Sequence, residues 1–357
     1  MNYQISFLVI LFPILIFAQE TKKEKDSVSN TIDNLYIEDH NNQLNIKFDV
    51  TNDQVRYFMP YEGDKATLKT NLNASLGFVF SYKFLSVRLG VRPGLSDSKK
   101  ENKGETDFFR IKVKLLFDNW THRFEYNYTR GFYIDNTEEF ELNGTNPNFH
   151  IQFPNLTTNI LAGSTHYNFN DNYSVKAVES NTEIQLKSAG TFILGINYSF
   201  YDVAGTDKVK NENGEIINKT EYKEYNGFST IFNGGYHYTF VIHNFWYINM
   251  RADPGIGLDS YKTTFYSEDS SENKNNNEVF FALGSGISTG YNGQKYYFGI
   301  EYNYAVNSEK FNDDDINLQP IKNSFHFFIG YRFKAPKQVR KPVEYIENKV
   351  PLLKDDN

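Results

Sequence analysis

Basic side chains recur at alternate positions along three consecutive segments of the chain. One acidic residue, Glu125, occupies the same set of alternate positions. Guanidinium and ammonium groups that share one surface either bind anions or pair with carboxylates from elsewhere in the fold. The sequence leaves both interpretations open: a narrow, anion-favouring pore or an internal salt-bridge network. The members of this basic wall are Arg88, Arg92, Arg110, Lys112, Lys114 and Arg123.

Two serine patterns raise the question of catalysis. Gly286-x-Ser288-x-Gly290 matches the nucleophile elbow of hydrolases, which needs a strand, a sharp turn and a helix. The pattern falls inside one predicted strand, so we predict no nucleophile there. Ser164 and His166 share a face near a strand end, as a membrane lipid hydrolase would need. No motif connects them; we predict no catalytic residue and keep the hydrolase as the alternative function.

Metal, cofactor and nucleic-acid binding are not predicted. The 7 histidines are scattered, and Asp313-Asp314-Asp315 lies in a polar connection where solvation is the default. The net charge of -7 argues against a nucleic-acid partner. The chain has no cysteine, which excludes disulfides and a lipid-modified cysteine anchor.

The stretch from Leu68 to Tyr82 alternates between two kinds of side chain. Even positions are mostly apolar or aromatic, and odd positions are mostly small or polar. The pattern exceeds an average globular strand and recurs about a dozen times along the chain. With 32 Phe and 26 Tyr but a mean hydropathy of -0.57, the chain suits a wall with one lipid face and one wet face. The sequence therefore predicts an all-β fold, a transmembrane antiparallel up-and-down β-barrel.

We predict about twelve strands, with fourteen as the alternative, because short turns and long loops must alternate between the two sides of the membrane. The twelve predicted strands are Gln43 to Tyr57, Thr67 to Tyr82, Leu85 to Arg92, Asp107 to Phe117, Trp120 to Ile134, Asn155 to Phe169, Thr191 to Asp202, Tyr222 to Phe240, Phe245 to Tyr261, Val279 to Tyr291, Tyr296 to Val306 and Ile321 to Phe333. The long polar connections are Pro93 to Thr106, Asp135 to Pro154, Val203 to Glu221, Lys262 to Glu278 and Asn307 to Pro320.

The segment Asn170 to Gly190 decides between the two strand counts. Treating it as a periplasmic excursion preserves the alternation of long and short connections and leaves twelve strands; a hairpin there would give fourteen. Ser180 and Glu183 have the spacing of a capping box, which predicts a short helix near 180–190, over Ile184 to Ser188.

The ends of the chain carry export signals. The apolar run that ends at Ala18 is too short to span a bilayer and predicts a signal peptide over 1–18. A polar periplasmic segment over 19–42 follows, then the barrel over 43–333. The aromatic closing strand ends at Phe333 and is expected to engage the barrel assembly machinery. Residues 334–357 are predicted to be a flexible periplasmic tail.

Three motifs carry a resemblance to a known family. The central motif is the run from Gln185 to Thr191, and it accompanies Tyr82-Lys83-Phe84-Leu85 and Pro254-Gly255-Ile256-Gly257. The chain resembles an uncharacterised family of exported Bacteroidetes proteins, catalogued as domain of unknown function 4421. The resemblance implies an outer-membrane protein and supplies no activity. The family-like residues of the central motif are Gln185, Lys187, Ser188, Ala189 and Gly190.

The expected function is that of a non-enzymatic outer-membrane protein. The lumen is predicted to be either a narrow, anion-favouring channel for a small anionic solute or a plugged structural barrel. The expected partners are outer-membrane lipid and lipopolysaccharide. Small residues on the inward face are expected to permit bending or to leave room in the lumen; they are Gly255, Gly257, Gly284 and Gly286.

Overall fold

A computed structural model gives the fold of most of the 357-residue chain. Neither the predicted signal peptide over 1–18 nor the run Asp313-Asp314-Asp315 lies within the described residues. The structure describes residues 36–140, 146–243, 245–308 and 317–349.

The described residues form strands and a few short helices. The strands are β1 (Ile37–Asp39), β2 (Gln43–Tyr61), β3 (Asp64–Lys69), β4 (Ser75–Tyr82), β5 (Leu85–Val91), β6 (Asp107–Leu116), β7 (Trp120–Ile134), β8 (Gln152–Asn168), β9 (Glu183–Gln185), β10 (Ala189–Ala204), β11 (Lys208–Lys210), β12 (Ile216–Asn218), β13 (Tyr222–His243), β14 (Trp246–Ser267), β15 (Ser270–Asn292), β16 (Tyr296–Asn307) and β17 (Asn317–Lys334). The helices are α1 (Asp97–Lys103), α2 (Val175–Glu179), α3 (Lys337–Lys349) and a 3-10 turn at Thr137–Glu139.

Twelve antiparallel strands close a barrel, as the sequence predicts. Each wall strand pairs with its neighbours in chain order, and β17 pairs with β2 to close the circle, with Phe327 opposite Val50. Closure leaves no free sheet edge along the wall. β3 and the hairpin β11–β12 belong to the same sheet but extend it beyond the wall, on the side away from the first residue of β2 and the last residue of β17.

The period-two pattern separates the two faces of the wall. In β4, Phe78 is 48% exposed and Phe80 is 41% exposed, whereas the intervening Val79 and Ser81 are buried. The aromatic row therefore lies on the outside, where lipid solvates it, and the small and polar row faces the lumen.

The predicted strand from Thr67 to Tyr82 is wrong in its middle, because residues 70–74 leave the ladder between β3 and β4. Asn71 explains the break: its side-chain amide donates to the carbonyls of Lys99, at 2.8 Å, and Gly104, at 2.7 Å. These bonds tie the wall to the end of α1. A side chain that satisfies the backbone of a neighbouring loop competes with strand pairing.

A cluster of apolar side chains fills the interior of the barrel at the end remote from the first residue of β2 and the last residue of β17. It is drawn from β2, β3, β7, β8, β10, β11, β13 and β14, with Ile151 just before β8, and we call it the outer apolar cluster. Its most buried members include Leu68, Ile134, Phe153 and Leu156. Near this end the inner face of the sheet is therefore no longer polar, and its side chains form a small hydrophobic core instead.

Three predicted loops contain regular structure instead. Lys262 to Glu278 is strand on both sides of a two-residue turn, because β14 and β15 continue as a hairpin beyond the wall. Most of its residues are polar, so the sequence gives no apolar period-two signal there. Pro93 to Thr106 contains α1, and Val203 to Glu221 contains β11 and β12.

The segment between β8 and β10 is a compact excursion, residues 169–188, which we call the plug segment. It adds no strand to the wall, as predicted. The predicted helix near 180–190 is wrong in position: the helix is α2, because Ser174 caps it by accepting a hydrogen bond from the amide of Ala177 at 2.8 Å. Residues 183–185 instead form β9, which pairs with β1.

Helix α3 lies in a second unit, separate from the unit Tyr36–Lys334. The predicted flexible tail is therefore helical over most of its length, and Pro336 precedes the first turn, where proline favours helix initiation. In the part of the chain that the structure describes, no helix has the length and apolarity needed to cross a membrane.

Candidate functional site

The basic wall is paired with carboxylates, beginning with Arg88 and Asp49. Arg88 reaches from β5 across β4 to β2, donating from Nη2 to Oδ1 of Asp49 at 2.6 Å and from Nε to Oδ2 at 2.9 Å. A Cβ at Gly77, on the intervening strand, would lie 2.5 Å from both side chains. The absence of a side chain at Gly77 therefore leaves space for a bidentate ion pair on the lumen surface.

Two further carboxylates neutralise the middle of the wall. Asp53 pairs with Arg110, and Arg92 approaches the same carboxylate at 4.0 Å. Glu125 forms ion pairs with Nε of Arg110 at 3.0 Å and with Nζ of Lys112 at 3.2 Å. These five residues form a continuous network across β2, β6, β7 and the residue that follows β5.

The last two residues of the basic wall pair with the plug segment. Glu179, at the end of α2, lies 2.5 Å from Lys114 and 2.8 Å from Arg123. It also lies 3.6 Å from Arg251, which stands on β14. One carboxylate therefore joins the plug segment to separate parts of the wall. The sequence analysis did not single out Glu179, and its only signal was the need for a carboxylate opposite the basic wall.

Arg332 holds the plug segment from another side. Its Nη2 donates to the backbone carbonyl of Asn181 at 2.7 Å and to the side chain of Asn292 at 2.5 Å; Nη1 donates to the carbonyl of Gly293. Asn292 donates in turn to the carbonyl of Glu183 at 3.0 Å. Buried arginine bonds to main-chain carbonyls fix backbone position as well as charge.

The family-like motif lies at the base of the plug segment. Gln185 accepts from the amide of Ser174 at 2.8 Å and donates to the carbonyl of Asn172 at 2.7 Å. Ser188 accepts from the amide of Val241 at 2.9 Å, and the carbonyl of Gly190 accepts from Asn170 at 2.7 Å. Lys187 lies over the ring of Tyr36, and Ala189 begins β10. The contacts of the motif are those of a structural anchor.

Ion pairing shifts the pKa of two groups in the plug segment. Burial alone would raise the pKa of Glu179, but Arg123, Lys114 and Arg251 outweigh burial and hold that pKa well below 4.5. Burial alone would lower the pKa of Lys176, but the nearby carboxylates of Glu183 and Asp118 outweigh it and raise the pKa. Both ions are therefore favoured in the folded state.

A polar cavity of about 470 Å³ lies between the plug segment and the wall. Val178 and Glu179 line one side, and residues of eleven wall strands line the rest. A second cavity of about 220 Å³ is lined by Arg110 and Glu125 together with Tyr57 and Tyr201 of the outer apolar cluster. We call the larger cavity the lumen chamber.

The inward glycines allow close approach of large side chains. A Cβ at Gly286 would lie 2.6 Å from Nε of Arg251, so this glycine lets Arg251 cross β15 toward Asn303. The ring of Phe280 occupies the space beside Gly257. At Gly255 a Cβ would lie 2.6 Å from a backbone oxygen, whereas Gly284 faces more open space.

The serine patterns do not assemble a nucleophile among the described residues. Ser288 lies inside β15, which continues as strand to Asn292, so no sharp turn into a helix follows the serine directly. Ser164 and His166 both face the lumen, where Arg123 donates to the hydroxyl of Ser164 at 3.4 Å and to Nδ1 of His166 at 2.7 Å. Neither hydrogen bond joins the serine to the histidine. The described residues also contain no group of three or more side chains suited to a metal ion.

A family model described as a domain of unknown function (DUF4421) matches residues 31–333. The chain belongs to this family. The match includes the whole barrel and the plug segment. Comparison with curated proteins gives no match.

Solved outer-membrane barrels are similar in overall fold. The outer membrane protease OmpT from Escherichia coli has a TM-score of 0.37 at 9% identity, over 83% of this chain and 98% of that one. The translocator domain of autotransporter NalP from Neisseria meningitidis has 0.36 at 11% identity, over 82% and 89%. The Pseudomonas putida toluene transporter TodX has 0.27 at 8% identity, over 82% and 89%. At these scores the likeness carries no argument about function.

Proposed function

We propose that the protein is a plugged, non-enzymatic outer-membrane barrel that encloses a polar chamber. The plug segment closes the periplasmic side of the lumen, and the outer apolar cluster closes the other side. The observation that carries the proposal is the contact of Glu179 with Lys114, Arg123 and Arg251, which binds the plug segment to the wall.

The paired state of the basic wall supports a plugged barrel over an open anion channel. All six members lie within 4.0 Å of a carboxylate: Asp49, Asp53, Glu125 or Glu179. A permeating anion would have to replace these carboxylates as a partner, so the wall offers no row of free cations along an open path.

Planar-bilayer recording tests the plugged state. Wild-type protein is expected to show no steady conductance at low voltage, because both ends of the lumen are filled. A steady conductance that becomes cation-preferring when Arg110, Lys112 and Lys114 are neutralised would contradict the proposal and support the anion channel.

Thiol labelling tests closure of the lumen chamber directly, since the chain has no native cysteine. Ser164→Cys places a thiol at the chamber wall. We expect a small charged thiol reagent to label it at least about tenfold more slowly than Asn275→Cys, on the exposed outer hairpin. Adding Glu179→Gln to Ser164→Cys should remove most of that protection, and equal labelling of both cysteines in the wild-type background would overturn closure.

A further inference from the structure

The lumen chamber has more positive than negative side chains. Six cationic side chains and four carboxylates line it, which leaves a formal surplus of two positive charges with His326 neutral. The surplus lies near the plug segment, where the single carboxylate of Glu179 is shared by three cations. Glu301 approaches Arg251 at 3.5 Å and adds only one more negative charge.

Lys47 is a chamber cation with no carboxylate partner among the described residues. Its ammonium group lines the lumen chamber and donates to the side-chain oxygen of Asn181 at 3.3 Å. It lies 4.9 Å from the ring centre of Phe328, and no carboxylate lies within ion-pair distance of it among the described residues. Inside the lumen, where access to bulk water is reduced, an ammonium group with a neutral partner favours a bound anion, because uncompensated charge is costly there.

We infer that the lumen chamber is a binding site for a small dianion, with Lys47 as its principal ligand. The inference rests on the lumen chamber of the proposed function and names its ligand. A phosphate or a short dicarboxylate would balance the surplus of two charges, and a cavity of about 470 Å³ accommodates either. Guanidinium and ammonium groups supply the charge-assisted donors that both anions require.

Equilibrium dialysis against inorganic phosphate tests the site. The full chain is folded into detergent micelles in the presence of phosphate, so that entry into a closed chamber does not limit binding. About one phosphate per chain should be retained above a chloride background of equal ionic strength. Displacement by succinate would extend the site to dicarboxylates, and resistance to succinate would restrict it to phosphate and its esters.

Two chamber variants are expected to change phosphate affinity in opposite directions, which a general loss of folding would not do. Lys47→Gln should weaken phosphate binding by about tenfold or more, because it removes a charged donor. Glu301→Gln should strengthen binding, because it increases the positive surplus. Lys262→Gln, on the exposed outer hairpin, is the matched control and should bind as the wild type does.

Three results would overturn the site: no saturable phosphate on the wild type, equal retention by Lys47→Gln and Lys262→Gln, or weakening by both chamber variants. The test does not depend on conductance or on thiol labelling. A barrel that proves open yet retains phosphate through Lys47 would overturn the closure and leave the anion site standing.

Discussion

Glu179 accepts a hydrogen bond from Arg123 at 2.8 Å, across 56 positions of the sequence. The bond connects a short helix in a connecting segment to the inner face of the barrel wall. Since Lys114 and Arg251 share the same carboxylate, its loss affects the attachment of the plug segment at several points. The plug segment is therefore held by charge as well as by the hydrogen bonds of Arg332 and Gln185.

Glu179→Gln should destabilise the folded barrel by about 3–5 kcal/mol, because it leaves enclosed cations without their partner. Urea unfolding of protein in lipid vesicles measures the loss. The matched control is Glu105→Gln, which breaks an exposed 2.8 Å pair with Lys100 and should cost about 1 kcal/mol or less. Equal losses in the two variants would show that Glu179 is not a principal anchor.

Acidification should weaken the same anchor. The folded-state pKa of Glu179 is depressed, so its contribution to the free energy of unfolding is fully present above 4.5 and is lost as the pH falls below 4.5 toward the folded-state pKa. The stability difference between wild type and Glu179→Gln should therefore be constant near neutral pH and shrink below about 4.5. A difference that stays constant down to pH 3 would contradict this linkage.

Cysteines placed at the two ends of the barrel should be accessible to a thiol reagent from opposite sides of the outer membrane. Asn172→Cys places a thiol on the exposed surface of the plug segment, and Asn275→Cys places one on the outer hairpin. An impermeant thiol reagent added to whole cells should label Asn275→Cys and spare Asn172→Cys, and both should react after the cells are opened. Labelling of Asn172→Cys on intact cells would reverse the topology.

The sequence predicts the wall well because one face of each strand must meet lipid and the other must meet the lumen. It does not predict the ion pairs, since Arg88 and Asp49 stand on strands separated by β4 and meet only through the register of the closed sheet. The hairpin around Lys262 was missed because its residues are mostly polar and lack an apolar period-two pattern. The role of Glu179 depends on how the plug segment folds, which Ser174 and Gln185 fix locally.

Phe153 should be a stabilising residue of the outer apolar cluster. It is 1% exposed, and its ring lies 5.9 Å from that of Tyr61 in an edge-to-face contact. Phe153→Ala should cost about 3–5 kcal/mol, because it removes a large buried ring and leaves a cavity. Ile217→Ala, on the exposed strand β12, should cost about 0.5 kcal/mol or less, and urea unfolding compares the two. Similar small losses would show that the cluster contributes little to closure.

Because the closing strand faces lipid, the cost of placing a charge on it should depend on the depth of the residue in the bilayer. Phe327 is 45% exposed and lies near the middle of β17, opposite Val50 of β2, whereas Phe333 lies near the C-terminal end of that strand. Phe327→Arg should cost about 2–4 kcal/mol at the bilayer midplane, and Phe333→Arg about 0–1 kcal/mol near the interface. Urea unfolding in vesicles measures both, with heat-modifiable gel mobility as a check on assembly. Equal costs at the two positions would place the bilayer elsewhere on the wall, since only a charge held in hydrocarbon carries the larger penalty.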